Sequence, residues 1–158
     1  MRDNNIDKLL KDFNRISGME IAVGDADRRG ITSARCEGCN FCSYVCPHAV
    51  IRPVAMTEEE AAKAPNGMAN KDMTGVPGMK FAMTVSVLDC TGCGVCAQVC
   101  PGKKGEKALV MNPLDTQITK QQEFAYGQKL PKKEAVAAKF ADTTVKGSQF
   151  RQPLLEFS

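Results

Sequence analysis

Cys36-Glu-Gly-Cys39-Asn-Phe-Cys42-Ser-Tyr-Val-Cys46-Pro47 and Cys90-Thr-Gly-Cys93-Gly-Val-Cys96-Ala-Gln-Val-Cys100-Pro101 are two copies of one string. Both read C-x2-C-x2-C-x3-C-P, and each cysteine and the following proline recur at a constant offset of 54 residues. The two copies use all eight cysteines of the 158-residue chain. A duplicated half-domain is the simplest origin of such a repeat.

The spacing is that of thiolate ligands to [4Fe–4S] cubes. Three cysteines at i, i+3 and i+6 in a tight turn can reach three corners of one cube, and tetrahedral iron favours thiolate. Gly38, Gly92 and Gly94 are expected to relieve crowding where the backbone wraps the inorganic core. In two-cluster bacterial ferredoxins the fourth cysteine of each run ligates the other cube. Applied here, one cluster takes Cys36, Cys39, Cys42 and Cys100, and the other takes Cys90, Cys93, Cys96 and Cys46. A zinc-bound structural module is the rival of another class, but paired CxxC strings would suffice for it. The third cysteine and the Cys-Pro ending, each present twice, are then unexplained. A disulfide framework belongs to oxidising compartments, and residues 3–8 are polar where a signal peptide would be apolar.

Composition adds limits. The formal charge of +3 counts the thiols as neutral; two oxidised clusters at about −2 each bring the total to about −1. Charge therefore offers no argument for nucleic acid. No stretch has the ~20 apolar residues of a membrane span, which suggests a soluble, cytoplasmic setting. Residues 101–158 carry 10 basic and 6 acidic side chains. Lys103, Lys104 and Lys107 follow the second run as a solvated loop or as a docking rim for an acidic electron partner.

The pattern around the runs predicts an α+β chain. Ile6, Leu9, Leu10, Phe13 and Ile16 place an amphipathic helix over 4–16. Strands are expected at 31–34, 48–56, 79–87 and 107–111. Thr57 and Glu60 form a capping-box signal for a helix over 58–64, and the Gly and Pro residues of 65–78 read as loop. In the strand at 79–87, Phe81, Met83, Val85 and Val87 are expected on a buried face, with Lys80, Thr84 and Ser86 on a solvated one. A short helix fits 132–140. His48 can donate to a cluster sulfur or merely cap a strand; Val45 and Val99 are expected to pack on the clusters, and Tyr44 to be core. The division is an N-terminal helix and linker (1–30), a two-cluster domain (31–112, with an insertion at about 54–79), and an extended arm (113–158) that packs on something else.

The run Cys42-Ser-Tyr-Val-Cys46-Pro-His-Ala-Val-Ile-Arg-Pro53, the stretch from Asp89 to Asn112-Pro-Leu, and the tail Lys146-Gly-Ser-Gln-Phe150 with Gln152-Pro-Leu-Leu-Glu-Phe-Ser158 carry a further likeness. They resemble the ferredoxin-like domain of pyruvate:ferredoxin oxidoreductases, multidomain thiamine enzymes of anaerobic metabolism. Asp27-Arg-Arg-Gly-Ile31 resembles the segment before the first cluster in that family. The resemblance implies a bacterial two-[4Fe–4S] ferredoxin-like fold with a pseudo-two-fold repeat. It implies an electron relay whose clusters are the medial and distal stations of a three-cluster wire. Thiamine diphosphate would sit in another domain or partner, and electrons would leave to external ferredoxin or flavodoxin. On this reading the chain is an excised domain or a subunit that does not decarboxylate pyruvate alone. A free-standing two-cluster carrier, or a subunit of another redox complex, is the alternative.

Overall fold

The computed structural model describes residues 27–31 in their backbone, 36–104 and 106–151. The helix expected over 4–16, residues 32–34 and the tail beyond 151 lie outside the described residues.

Two antiparallel sheets organise the chain. Strand β1 (Asp27–Ile31) pairs with β5 (Leu109–Pro113), from Asp27 opposite Pro113 to Ile31 opposite Leu109. The second sheet has the order β2-β4-β3, with β2 (Ile51–Thr57), β4 (Met79–Val85) and β3 (Asn70–Asp72). β2 runs antiparallel to β4 from Ile51 opposite Val85 to Thr57 opposite Met79. Each sheet thus takes a strand preceding one cysteine run and a strand following the other. β1 and β4 both end five residues before the first cysteine of their run.

The short helices within the runs repeat as well. α1 (Phe41–Tyr44) starts from Asn40, with φ 63, and α3 (Val95–Val99) starts from Gly94, with φ 76. Gly38 and Gly92 are left-handed too, with φ 67 and 75. These positions match in pairs at the 54-residue offset. The left-handed residues reverse the chain within three residues, which is how the cysteines come to surround a point. α1 and α3 pack against each other.

Several strand boundaries differ from the sequence reading. The strand expected at 48–56 begins at Ile51, because Cys46 to Ala49 form a turn in which Ala49 N–H donates to the Cys46 carbonyl at 3.2 Å. Ala49 itself has φ 52, which ends any extended run. Pro53 is accommodated because β2 is an edge strand, where a missing N–H breaks no ladder. The first strand is Asp27–Ile31, earlier than the 31–34 expected, and the last is Leu109–Pro113, later than 107–111. β3 lies inside the segment read as loop; Asn70-Lys-Asp72 has no strand propensity and is held by its pairing to β4.

β4 is buried on both sides, not one. Ile51, Ala55, Phe81, Met83, Val85 and Val87 join the core that contains the cysteines. Val54, Met56 and Ala82, on the alternate face, join a second core with Met68. Thr84 and Ser86, expected in solvent, are each 1% exposed. The cover is α4 (Lys120–Lys129), a helix absent from the sequence reading, which packs on β4 and brings Tyr126 against the second core. Gly127 permits the close approach: a Cβ there would lie 2.9 Å from Val54 Cγ2.

The C-terminal region is likewise no extended arm over its described length. After a 3-10 turn (Leu114–Thr116) and α4 come α5 (Glu134–Ala137) and α6 (Val145–Arg151). The helix expected over 132–140 shrinks to four residues. α6 returns to the first cysteine run, where it packs on α1 and β2.

The capping box forms as expected, opening α2 (Glu58–Ala62). Thr57 N–H donates to Glu60 Oε2 at 2.8 Å, and Glu60 N–H donates to Thr57 Oγ1 at 3.2 Å. Glu60 also ties α2 to the C-terminal helices. Its Oε1 lies 2.6 Å from Lys133 Nζ, and its carbonyl accepts from Tyr126 Oη at 2.6 Å. Burial pushes the Glu60 carboxyl up, but hydrogen bonds from Lys133 and the Thr57 backbone, with the Lys133 charge, leave it below its ordinary value.

Two stability outcomes follow from these contacts. Gly127→Val should overpack the α4–sheet contact and destabilise the fold by about 1–3 kcal/mol, and adding Val54→Ala should recover part of that loss in equilibrium unfolding. The Glu60 carboxyl titrates lower in the fold than in the unfolded chain. Its ionised form therefore stabilises above the unfolded value, and that contribution disappears as pH falls through the native value. Glu60→Gln, which keeps the capping geometry, should be less stable than the parent at about pH 7, with the gap narrowing as pH falls through the native Glu60 value. A gap that does not change with pH would contradict this account.

Candidate iron–sulfur site

The first cysteine run wraps a cavity. Cys36, Cys39, Cys42 and Asn40 line it together with Met83 of β4, and so does Cys100 with the Pro101-Gly102 turn. Cys100 belongs to the second run, 54 residues beyond Cys46, yet it stands at the first cavity. Three thiols of one run and the fourth of the other therefore share one space.

Burial and mutual charge shape these thiols. Cys42, Cys90, Cys96 and Cys100 are buried, Cys36, Cys39 and Cys46 half-buried, and Cys93 exposed. Burial pushes the Cys36 thiol up, and the neighbouring Cys39 and Cys100 push it further; the Gly38 N–H and the Lys71 charge oppose them. Burial raises Cys42 far above the ordinary thiol range, with Cys36, Cys39 and Cys96 adding to it. Cys96 is the third cysteine of the second run, so the two sets of thiols meet across the α1–α3 contact. Beside Cys46, Arg52 of β2 has its guanidinium value lowered by burial and raised by the Cys46 charge. Cys46, Cys90 and Cys96 all belong to or pack on the same core.

The donor set fits cubane clusters. A four-coordinate zinc site needs its thiolates ~3.8 Å apart around one ion. Four cysteines instead stand around a cavity, which is how a cube is held by its corners. A bound cluster would draw the thiols into their thiolate form, because coordinated thiols are deprotonated outright.

Several residues to which the sequence reading gave no role at the cysteines build this site. Asn40 is fully buried, and its Nδ2 donates to the Lys146 carbonyl at 3.2 Å. Ser43 Oγ donates to Gln149 Oε1 at 2.6 Å, with the Ile51 carbonyl 2.8 Å away. Phe81 meets Phe150 edge-on at 6.2 Å between centroids, and its ring lies under Gly38. α6 thus clasps the first run from outside. Lys71 Nζ donates to the Cys36 carbonyl. Asn40 could have been found from the repeat, since it aligns with Gly94 and must share its left-handed turn. Lys71, Gln149 and Phe150 have no local signal, because their role is set by contacts far along the chain.

Other expected residues are placed differently. Tyr44, expected in the core, is 60% exposed, and Val99, expected against a cluster, is 38% exposed. Both sit on one-turn helices whose inner sides are taken by the cysteines, so the remaining positions point outward. Val45 is half-buried and packs on the core as expected. His48 is exposed in the turn after Pro47. Lys103, Lys104 and Lys107 are exposed, and Lys107 Nζ donates to the Gln98 carbonyl at 2.6 Å. Among the described residues no helix is long and apolar enough to cross a membrane.

Comparison with known proteins agrees with this geometry. The family described as "4Fe-4S dicluster domain" matches residues 35–104. Pyruvate:ferredoxin oxidoreductase of Moorella thermoacetica is 42% identical over 97% of this chain and 15% of its own length. Pyruvate-flavodoxin oxidoreductase of Enterobacter agglomerans is 48% identical over 78% of this chain and 10% of its own. The mitochondrial pyruvate dehydrogenase [NADP(+)] of Euglena gracilis is 41% identical over 79% and 7% respectively. The chain thus spans about a seventh or less of these relatives. The doubled cysteine runs, the matched family and the relatives agree that the chain is a ferredoxin-like 4Fe-4S dicluster protein, homologous to the iron–sulfur region of the pyruvate:ferredoxin and pyruvate-flavodoxin oxidoreductases.

Proposed function

We propose that this chain is the two-cluster electron relay of a 2-oxoacid oxidoreductase acting on pyruvate, as a domain or a subunit of the larger enzyme. The observation that carries the reading is Cys100 of the second run at the cavity of the first. In this assignment Cys36, Cys39, Cys42 and Cys100 hold one cube, and Cys90, Cys93, Cys96 and Cys46 hold the other. The clusters supply one-electron acceptor and donor sites. The chain supplies the thiolates, an apolar core beside them, and the α1–α3 contact that joins the two sets.

Oxidative decarboxylation of one pyruvate releases two electrons. They would be generated at thiamine diphosphate in another domain or partner, enter through a proximal cluster there, and cross this chain one at a time. Two one-electron acceptors, ferredoxin or flavodoxin molecules, would take them. The exposed Lys103, Lys104 and Lys107 form a rim suited to an acidic acceptor. Residues 31–112 are assigned as the relay proper, with 54–79 as an insertion, 1–30 as a separate N-terminal element, and 113–158 leading toward the thiamine-binding part. A pseudo-two-fold relation between the halves is supported by the paired left-handed turns and by the exchange of strands between the sheets.

The full chain should bind about eight irons and eight acid-labile sulfides, with the EPR signals of two reduced cubes; two zincs in a colourless sample would overturn the reading. Cys46→Ala should damage the cluster held by Cys90, Cys93 and Cys96, not the nearer one. Loss of the Cys36–Cys42 cluster alone would show that each run serves a single cube. Native mass measurement in cell extract should find the chain in a large assembly, whereas a monomeric carrier without a stable partner would sink the oxidoreductase assignment.

A further inference from the structure

The insertion between the cysteine runs brings one cation to the first of them. Lys71 is the central residue of β3 and lies opposite Phe81 of β4. Residues directly opposite in an antiparallel pair share a face. Phe81 places its ring under Gly38, so that face is the one turned to the first run. Lys71 Nζ reaches the Cys36 carbonyl there. Its neighbour Asp72 is engaged with Lys80 at 2.5 Å, and Lys71 itself forms no ion pair among the described residues. Lys71 is half-buried, so solvent screens its charge less than it would at an open surface.

The geometry points to Lys71 as a positioning residue that raises the reduction potential of the cluster held by Cys36, Cys39, Cys42 and Cys100. The inference rests on the two-cluster assignment above. The step is a gain of one electron by a cube that goes from an overall charge of about −2 to about −3 with its four thiolates. A fixed positive charge at the Cys36 end favours the more negative state, and the same hydrogen bond holds the Cys36 backbone against β3.

The test is a redox titration followed by EPR on the full chain loaded with iron and sulfide. The first-run signal is identified as the one lost in Cys36→Ala. Lys71→Met and Lys71→Gln should lower the equilibrium constant for one-electron reduction of that cluster on the order of tenfold, a shift of about 59 mV for one electron. Lys71→Arg should keep it near the parent value, and the second cluster should move much less. Unchanged potentials in neutral variants that retain eight irons would overturn the inference, as would equal shifts of both clusters. Loss of the first cluster from both neutral variants would overturn it in favour of a purely structural hydrogen bond. A parent chain without two clusters would overturn the function proposal, and this inference with it.

Discussion

The pairing of β2 with β4 is the constraint on which the rest of the described structure depends. β2 leaves the first cysteine run and β4 enters the second, so their ladder joins the halves at the point where the cysteines diverge. The register from Ile51–Val85 to Thr57–Met79 places Ala55, Phe81, Met83 and Val85 toward the thiols. A slip by one residue would turn that set to the opposite face and present Thr84 and Lys80 instead. The β1–β5 ladder repeats the exchange at the other end of the chain. Cys100 at the first cavity is the same exchange made by a side chain. Each half is thus completed by a strand of the other, and the first cavity also takes a wall from the second run.

Burial on both faces of β4 then separates two tasks. The face with Phe81 and Met83 packs with the cysteines, while the face with Ala82 and Thr84 seats α4 and joins the core that Met68 and Ala61 of α2 also enter. The close approach at Gly127 makes that seating tight. α6 completes the enclosure through Asn40, Ser43 and Phe81, so the outer wall of the first site comes from residues more than 100 positions along the chain. A low-dielectric surround of this kind strengthens the effect of each nearby charge. Lys71 of β3 reaches the Cys36 carbonyl from within this surround.

Much was legible because some chemistry is local. The doubled cysteine spacing points to the cofactor type, and the 54-residue offset points to two like turns, seen as paired left-handed residues at Gly38, Asn40, Gly92 and Gly94. The capping box at Thr57 and Glu60 involves atoms three residues apart and formed as expected. Strand ends were less legible. A turn such as Cys46–Ala49 is settled by what the preceding cysteine must reach, and the alternation of the following residues carries no trace of it.

What the sequence by itself determined was the ligand chemistry, the local turns that present it, and the inward side of β4, since spacing and period are properties of neighbouring residues. Tertiary structure alone decided that Thr84 and Ser86 are buried, that residues 113–151 fold back as helices, that Tyr44 and Val99 point outward, and that Lys71 meets Cys36. Each of these depends on a partner distant in sequence. Burial and charge act between surfaces, and the chain's own order does not say which surfaces will meet.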